Sequence, residues 1–434
     1  MLRKRVQLGL IHVAVAMTLV PINSTLNRVM IKELAISATL VALLASLPYL
    51  FSPIQVAIGS FSDRNPVFGY RRSPYILLGI SLCVLGLLLA PQAAFLLAEN
   101  FWTGIVLGIM AFGAWGMGFN FATVSYLSLA SELSGEKGRS RTIAIMWFMM
   151  ISSIIFTAVL LSQIVDPYTP QAMLRAFWVT GAVALFLGLV GLIRLEPRFT
   201  ADNTSQSEQH SWRSLAEVIL ENRQATIFFW YLIILLAAIL GQDILLEPFA
   251  GEAFNMSVRE TTRITSLWGA CVLIALLAAG ILEGRVSKRS VAKWGAWQAL
   301  AGFLGIAVSG ILASQALFFT GVIFLGVGTG LSTVSNLSLM LDMTTAGSVG
   351  LFIGAWGMAN AISRFIGSMV GGVIRDIVTQ IFQSPIGGYV VVFGIEAAML
   401  LISLIILRRV DVGAFREQVS ETSLVERAAI ASDL

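Results

Sequence analysis

Charge is what this sequence has least of. Aspartate, glutamate, lysine and arginine supply 12% of 434 residues, about half the share of roughly 25% found in soluble domains. A water-soluble chain of this length needs polar residues over most of its surface, so the deficit excludes a soluble enzyme, a disordered scaffold and a nucleic-acid reader. Cysteine is scarce too. Cys83 and Cys271 both fall inside apolar stretches, which leaves no disulfide framework or metal cluster and assigns each to packing. Phosphate loops, metal-ligand spacings and nucleophile–base constellations are missing, and glycine runs that look like dinucleotide motifs sit inside apolar segments. The net charge of +4 and pI near 9.2 do not mark a basic groove, because the cations stand in short loops between apolar runs.

Hydrophobic sequence is plentiful, at 57% and a mean hydropathy of +0.85. A helix needs about 20 apolar residues to cross the hydrocarbon core, and in lipid the backbone must satisfy its own hydrogen bonds. Twelve segments are predicted to do so: 7–31, 37–62, 74–98, 101–132, 142–165, 173–195, 225–250, 262–283, 291–313, 316–341, 350–375 and 386–408. The fold class is therefore an all-α polytopic membrane protein. The opening Met1-Leu-Arg-Lys-Arg5 superficially resembles a signal peptide, but the run continues past Pro21, Asn23, Asn27 and Arg28 without a small-x-small cleavage site, and reads as a retained first span.

The cations orient the spans. With the N-terminus in the cytoplasm, twenty-one of the 28 Lys and Arg fall on that side and six (Arg28, Lys32, Arg175, Arg259, Arg263, Arg375) on the other, with Arg364 inside a span. Both termini are thus predicted cytoplasmic. The expected domains are a six-helix bundle over 1–195, a cytoplasmic linker over 196–224, a second six-helix bundle over 225–408 and a polar tail over 409–434. Within the linker, 200–211 is polar, and Ser214-Leu-Ala-Glu217 has capping-box spacing. Trp212, Leu215, Ile219 and Leu220 share a face, which predicts a short amphipathic helix on the membrane surface.

The halves are related. Thr123-Val-Ser-Tyr-Leu-Ser-Leu-Ala-Ser-Glu132 aligns with Thr333-Val-Ser-Asn-Leu-Ser-Leu-Met-Leu-Asp342 at an offset of 210, and Asp166 with Asp376 at the same offset. Trp147 pairs with Trp356, and the glycines of 113–118 parallel those of 326–330. Two pseudo-symmetric bundles of six are the architecture of major facilitator transporters. The loop Gly59-Ser-Phe-Ser-Asp63-Arg64-Asn65-Pro-Val-Phe-Gly69-Tyr70-Arg71-Arg72 resembles that superfamily's G-x-x-x-D-R-x-G-x-R-R signature, with Pro66-Val67-Phe68 inserted. Gly59 lets helices approach, Asp63 suits a helix N-terminus, and the arginines suit lipid phosphate or carboxylates. The counterpart Gly280-Ile-Leu-Glu283-Gly-Arg285 is degenerate, and Glu136-Lys-Gly-Arg139-Ser-Arg141 follows span four.

Ionisable groups inside spans are functional candidates because burying them is costly. His12, Asn23 and Asn27 are spaced to share one face of span one. Asp243 and Glu247 are one turn apart on span seven and could hold a proton, coordinate a metal or pair with Arg28, Arg259 or Arg263, ion pairing being the first expectation. Arg364 and Glu396 lie near the middles of consecutive spans and are expected to pair as a structural lock or gate. Glu132 and Asp342 close the repeated strings. Asn120, Ser125, Asn336, Ser338 and Asn360 are expected to bridge helices, and Gly367/Gly371 is a packing pair.

Around span seven, Gly241-Gln242-Asp243-Ile-Leu-Leu-Glu247-Pro248-Phe-Ala-Gly251-Glu252 resembles the Q-D-x-L-L-E-P-[YF]-x-G string of the PucC, or bacteriochlorophyll-delivery, branch of the major facilitator superfamily. The resemblance extends from span one to span twelve, including the Gly59–Arg72 loop and its exit through Tyr70-Arg-Arg-Ser-Pro74. It implies a non-enzymatic assembly factor that delivers or shields chlorophyll or bacteriochlorophyll while light-harvesting or photosystem apoproteins insert into a photosynthetic membrane. Those apoproteins, chlorophyll-synthesis enzymes and membrane lipids are the implied partners, and nucleic acid is not. It raises Gln242, Asp243, Glu247 and His12, with Asn23 and Asn27 beside them, as pigment-binding candidates. The rival is a proton-coupled carrier of a small solute using Asp243, Glu247 or Glu396. Spans one to six offer few titratable groups beyond His12 and Glu132, which favours the first reading. A third reading, a purely structural membrane scaffold, would leave the purified protein without pigment.

Overall fold

The computed structural model describes residues 2–198, 222–282, 284–343 and 349–415. The expected surface helix around 212–220, the tail from 416 onward and the side chains of Asp63, Lys137, Arg139 and Glu283 lie outside the described residues. Among the described residues the chain is helical, with one bridge, Val67 to Tyr70, where strands would otherwise appear. That bridge closes the inserted loop residues into a tight turn. Phe68 and Gly69 both take positive φ, 52° and 79°, the conformation a two-residue turn of this hand demands.

We number the helices α1 (Leu2–Glu33), α2 (Ala38–Ala45), α3 (Leu47–Leu50), α4 (Ile54–Arg64), α5 (Ser73–Glu99), α6 (Phe101–Gly135), α7 (Arg141–Ile164), α8 (Pro170–Leu192), α9 (Arg223–Gly241), α10 (Leu246–Phe254), α11 (Val258–Leu282), α12 (Lys288–Leu312), α13 (Gln315–Asp342), α14 (Val349–Phe382) and α15 (Pro385–Leu407). Among the described residues eleven are long and apolar enough to cross a membrane, counting α9 to Ile244. The expected second span, 37–62, is instead the broken run α2–α3–α4. Pro48 stands in the first turn of α3 and Pro53 just before α4, and each removes a backbone donor and disrupts the turn before it. In α1 the turns widen to π geometry over Pro21–Leu26 and again over Val29–Glu33.

The repeat is written in the packing. On α5, a methyl group added at Gly79 would meet Gly118 O and Ala122 N of α6 at 2.7 and 2.4 Å; on α12, one added at Gly295 would meet Gly328 O and Ser332 N of α13 at 3.0 and 2.7 Å. Gly86 against Ala111 and Trp115 is likewise matched by Gly302 against Gly321 and Leu325. Small residues thus set the same close backbone approach in both halves, the usual device for helices that lack a hydrophobic drive in lipid. The acids that close the repeated strings also agree. Glu132 takes the Arg72 guanidinium at 3.0 Å, and Asp342 takes Lys288 Nζ at 2.8 Å.

These two pairs lie at the end of the bundle that holds the N-terminus, where Arg5 donates to Thr142 at 3.0 Å and Gln7 to Ile193 O at 2.8 Å. There Glu196, not predicted from sequence, accepts the backbone N–H groups of Arg71, Arg72 and Ser73 at 2.6–3.2 Å. A carboxylate on the first turn of α5 meets unpaired donors and the positive end of the helix dipole.

Polar contacts between the halves gather at the opposite end. Asp376 of α14 accepts from Ala38 N, Thr39 N and Thr39 Oγ1 at 3.1, 2.8 and 2.7 Å, capping α2. Its repeat partner, Asp166, accepts from Arg259 of α11 at 2.5 Å. Arg28 donates to Met256 O at 2.9 Å and Lys32 to Gly251 O. Thr25 and Thr262 share a hydrogen bond at 3.1 Å.

Candidate functional site

The span that opens the second half is discontinuous. α9 stops at Gly241, Gln242–Ile244 makes one tight 3-10 turn, and α10 starts at Leu246. Pro248 accounts for the break, because its ring clashes with the carbonyl four residues earlier, at Ile244, if the α-helix continues. Such interruptions within a membrane persist where side chains or a cavity compensate the backbone.

The break presents Asp243 to the boundary between halves. Its Oδ2 accepts from Arg364 Nη1 at 2.5 Å and its Oδ1 from Gln242 Nε2 at 3.0 Å. The Arg364 guanidinium carbon stands 5.6 Å from the Tyr49 ring centroid, a cation–π contact contributed by the first half. Asn23, Ala45, Tyr49, Asp243, Ile244, Arg364 and Ser368 enclose about 10 Å³, space for a single water at most.

This geometry corrects the expected lock. Arg364 pairs with Asp243 and not with Glu396, whose two oxygens have no hydrogen-bond partner. The consecutive helices α14 and α15 do touch, as expected, but Gly241 packs against both Gly367 and Glu396. Glu396 therefore sits across the α9–α14 contact from Arg364, and Asp243 lies on the arginine's side of it.

The expected partners of the span-seven acids are corrected as well. Arg28 donates to Glu33 at 2.5 Å, and Arg259 is taken by Asp166. Glu247 Oε1 accepts from Thr265 Oγ1 at 2.5 Å, while Oε2 has no partner. Asp243 and Glu247 do not share a helix face, because the chain changes helix between them.

The proposed face of His12, Asn23 and Asn27 is also split. Regular 3.6-residue spacing ends at Pro21, where wider turns shift the register. His12 is buried within the first half, its ring 5.0 Å from Tyr126 and its Nδ1 without a partner. Asn23 lines the central cavity, and Asn27 donates to the Asn23 carbonyl at 3.1 Å. Of the polar groups expected to bridge helices, two do: Asn120 Nδ2 donates to Pro48 O at 3.0 Å, and Tyr231 donates to Asn336 Oδ1 at 2.8 Å. Asn360 donates instead to Trp356 O of its own helix, and Ser125 Oγ has no partner.

Above the central pair is a polar layer the sequence did not reveal. Glu252 accepts from Arg375 at 2.9 Å and from Tyr389 OH at 3.1 Å, and Arg375 also reaches Asp376 at 3.0 Å. The match of Asp166 with Asp376 was the one signal pointing there. Tyr168, in the turn between α7 and α8, is near Glu33; partial burial and then that charge hold its phenol above the ordinary range.

Among the described residues no cluster of three His, Cys, Asp or Glu could cage a metal ion. A ligand that needs one polar contact has other options. Asp243 is committed to Arg364, whereas Glu247 Oε2 and both oxygens of Glu396 keep unused hydrogen-bonding capacity.

Residues 25–415 match the family model described as PUCC protein. The chain is 29% identical over 422 residues to Protein PucC of Cereibacter sphaeroides, covering 94% of this chain and 91% of that one. It is 27% identical over 406 residues to the Bacteriochlorophyll synthase 44.5 kDa chain of Rhodobacter capsulatus, covering 92% of each. Its backbone superposes on the nucleoside transporter NupG with a TM-score of 0.72 at 13% identity, over 94% of this chain and 99% of that one, a likeness of fold alone.

Proposed function

Because the chain belongs to the PUCC protein family and has the fold of major facilitator transporters, we propose that it is a non-catalytic assembly factor. It binds chlorophyll or bacteriochlorophyll in a photosynthetic membrane and passes it to light-harvesting or photosystem apoproteins. The observation that carries this reading is the family match, which runs through both halves, together with a relative whose name includes bacteriochlorophyll synthase. The geometry supports it in one respect: the charges between the halves neutralise each other around a water-sized space, so the centre is not shaped for a polar cargo. On this reading the broken run α2–α4 supplies a twelfth crossing, both termini face the cytoplasm, and the partners are pigment apoproteins, pigment-synthesis enzymes and lipids.

The absorption spectrum of protein gently solubilised from its native membrane tests the proposal. Co-purified pigment with a red band is the expected result. A second reading, proton-coupled transport of a small solute, is favoured by the Arg364–Asp243 pair at the boundary of the halves. A colourless, monodisperse sample whose vesicles take up solute under a pH gradient would establish it and displace the first.

A further inference from the structure

Behind the central pair, across the α9–α14 contact, lies a second cavity of about 70 Å³. Its walls include Ala237 of α9, Gly367 and Val370 of α14 and Val392 of α15, with Ile366 at its edge and Glu396 as its one ionisable lining residue. At about 100° per residue, Ile366 is about 200° around α14 from Arg364. Ile366 and Val370 are 39% and 40% exposed, so the cavity opens on the outer, lipid-facing surface and not between the halves. Glu396 is 4% exposed, and neither of its oxygens has a hydrogen-bond partner. The wall beside it is backbone: a methyl group at Gly367 would stand 2.3 Å from Ala237 O, so glycine keeps α9 and α14 in contact and leaves the wall smooth.

A carboxylate left ionised and unpaired among hydrocarbon walls is one of the costliest groups to bury, and an intramembrane acid marks a functional position by default. A carboxylic acid, in contrast, carries one O–H to donate. The space admits a substituent at the edge of a larger molecule, not a whole ring system, and its other lining residues are apolar or glycine.

We propose that this notch binds a lipid-soluble carbonyl compound arriving from the bilayer, with Glu396 donating a hydrogen bond to its oxygen. Resting on the function proposed above, the compound is the pigment, whose ring-edge keto or ester carbonyl enters the notch while the macrocycle lies along the exposed faces of α14 and α15.

The test uses the full chain in nanodiscs titrated with bacteriochlorophyll a, read by retention and by the carbonyl-stretch region of the resonance Raman spectrum. In the unmodified protein one carbonyl band is expected at the lower frequency of a hydrogen-bonded group. Glu396→Leu should return that band to its position in apolar solvent and weaken retention about tenfold, the equivalent of a single hydrogen bond. Glu396→Gln keeps a donor and should keep the shifted band. Ile366→Trp, at the lipid-facing mouth, should lower retention without lowering the melting temperature. Pigment bound with identical carbonyl bands in the unmodified and Glu396→Leu proteins overturns the notch and leaves the assembly-factor reading intact. Pigment that does not bind the unmodified chain at all overturns both.

Discussion

Two charged residues decide how the centre of the protein is read. Arg364 and Asp243 are 2.5 Å apart at the contact between the halves, with side chains 29% and 19% exposed. Removing one partner from a fully buried pair strands the other at about 3–5 kcal/mol, and the partial exposure of this one lowers that cost, whereas replacing both with apolar residues is often neutral. Arg364→Leu is therefore expected to lower the melting temperature in detergent, and Arg364→Leu with Asp243→Leu to restore most of the loss. A double variant less stable than Arg364→Leu alone would mean that the pair does not hold the centre together. Glu396 behaves in the opposite sense: with no partner to strand, Glu396→Leu should leave the melting temperature unchanged or raise it. The difference between these two acids was not legible in the sequence. Both stand within apolar runs, and the choice of partner depends on which side of the α9–α14 contact a side chain takes. One glycine, Gly241, packed against Gly367 and Glu396, sets that.

At the scale of elements, long apolar helices and the repeat were legible because lipid leaves the backbone no alternative to internal hydrogen bonding. Breaks within those helices were not, because hydropathy does not register them. α2–α4 and α9–α10 remain apolar through their interruptions, and proline at 48, 53 and 248 was the available signal. The clearest element-level feature, the matched small-residue contacts of α5 with α6 and α12 with α13, is hidden in the sequence because α5 and α12 align at an offset of 216 while α6 and α13 align at 210. It carries its own prediction. Gly79→Val and Gly295→Val both force a branched side chain against backbone at under 3 Å, so both should lose several kcal/mol, above the usual 1–3 kcal/mol of overpacking, and fail to accumulate as folded protein. Gly113→Ala, where an added methyl group meets open space, should accumulate normally. Glu196→Ala tests the cap on α5. Losing a carboxylate that takes three backbone donors should cost about 1–2 kcal/mol in thermal unfolding.

For the molecule as a whole, polar contacts between the halves cluster at the end away from the N-terminus. Asp376 caps α2, Asp166 holds Arg259, and Arg28 and Lys32 reach carbonyls of the other half. The count of cations by side predicted an orientation but could not show that those at the sparser end act as ties between halves, since that depends on which helices face each other across the boundary. Such ties hold that end shut in the structure, so any separation of the halves that preserves them must begin at the N-terminal end. Thr25 and Thr262 mark the seam, with hydroxyl oxygens 3.1 Å apart at the positions cysteine sulfurs would take. In a background carrying Cys83→Ser and Cys271→Ser, the pair Thr25→Cys with Thr262→Cys should cross-link in high yield in the membrane under copper–phenanthroline, because the two side chains already touch across the seam. The cross-linked protein should keep its fold and retain bound pigment, since the notch at Glu396 lies within one half and is untouched by the bond. If the cross-link forms only in solubilised, unfolding protein, this end is open in the membrane and these ties are not the resting arrangement.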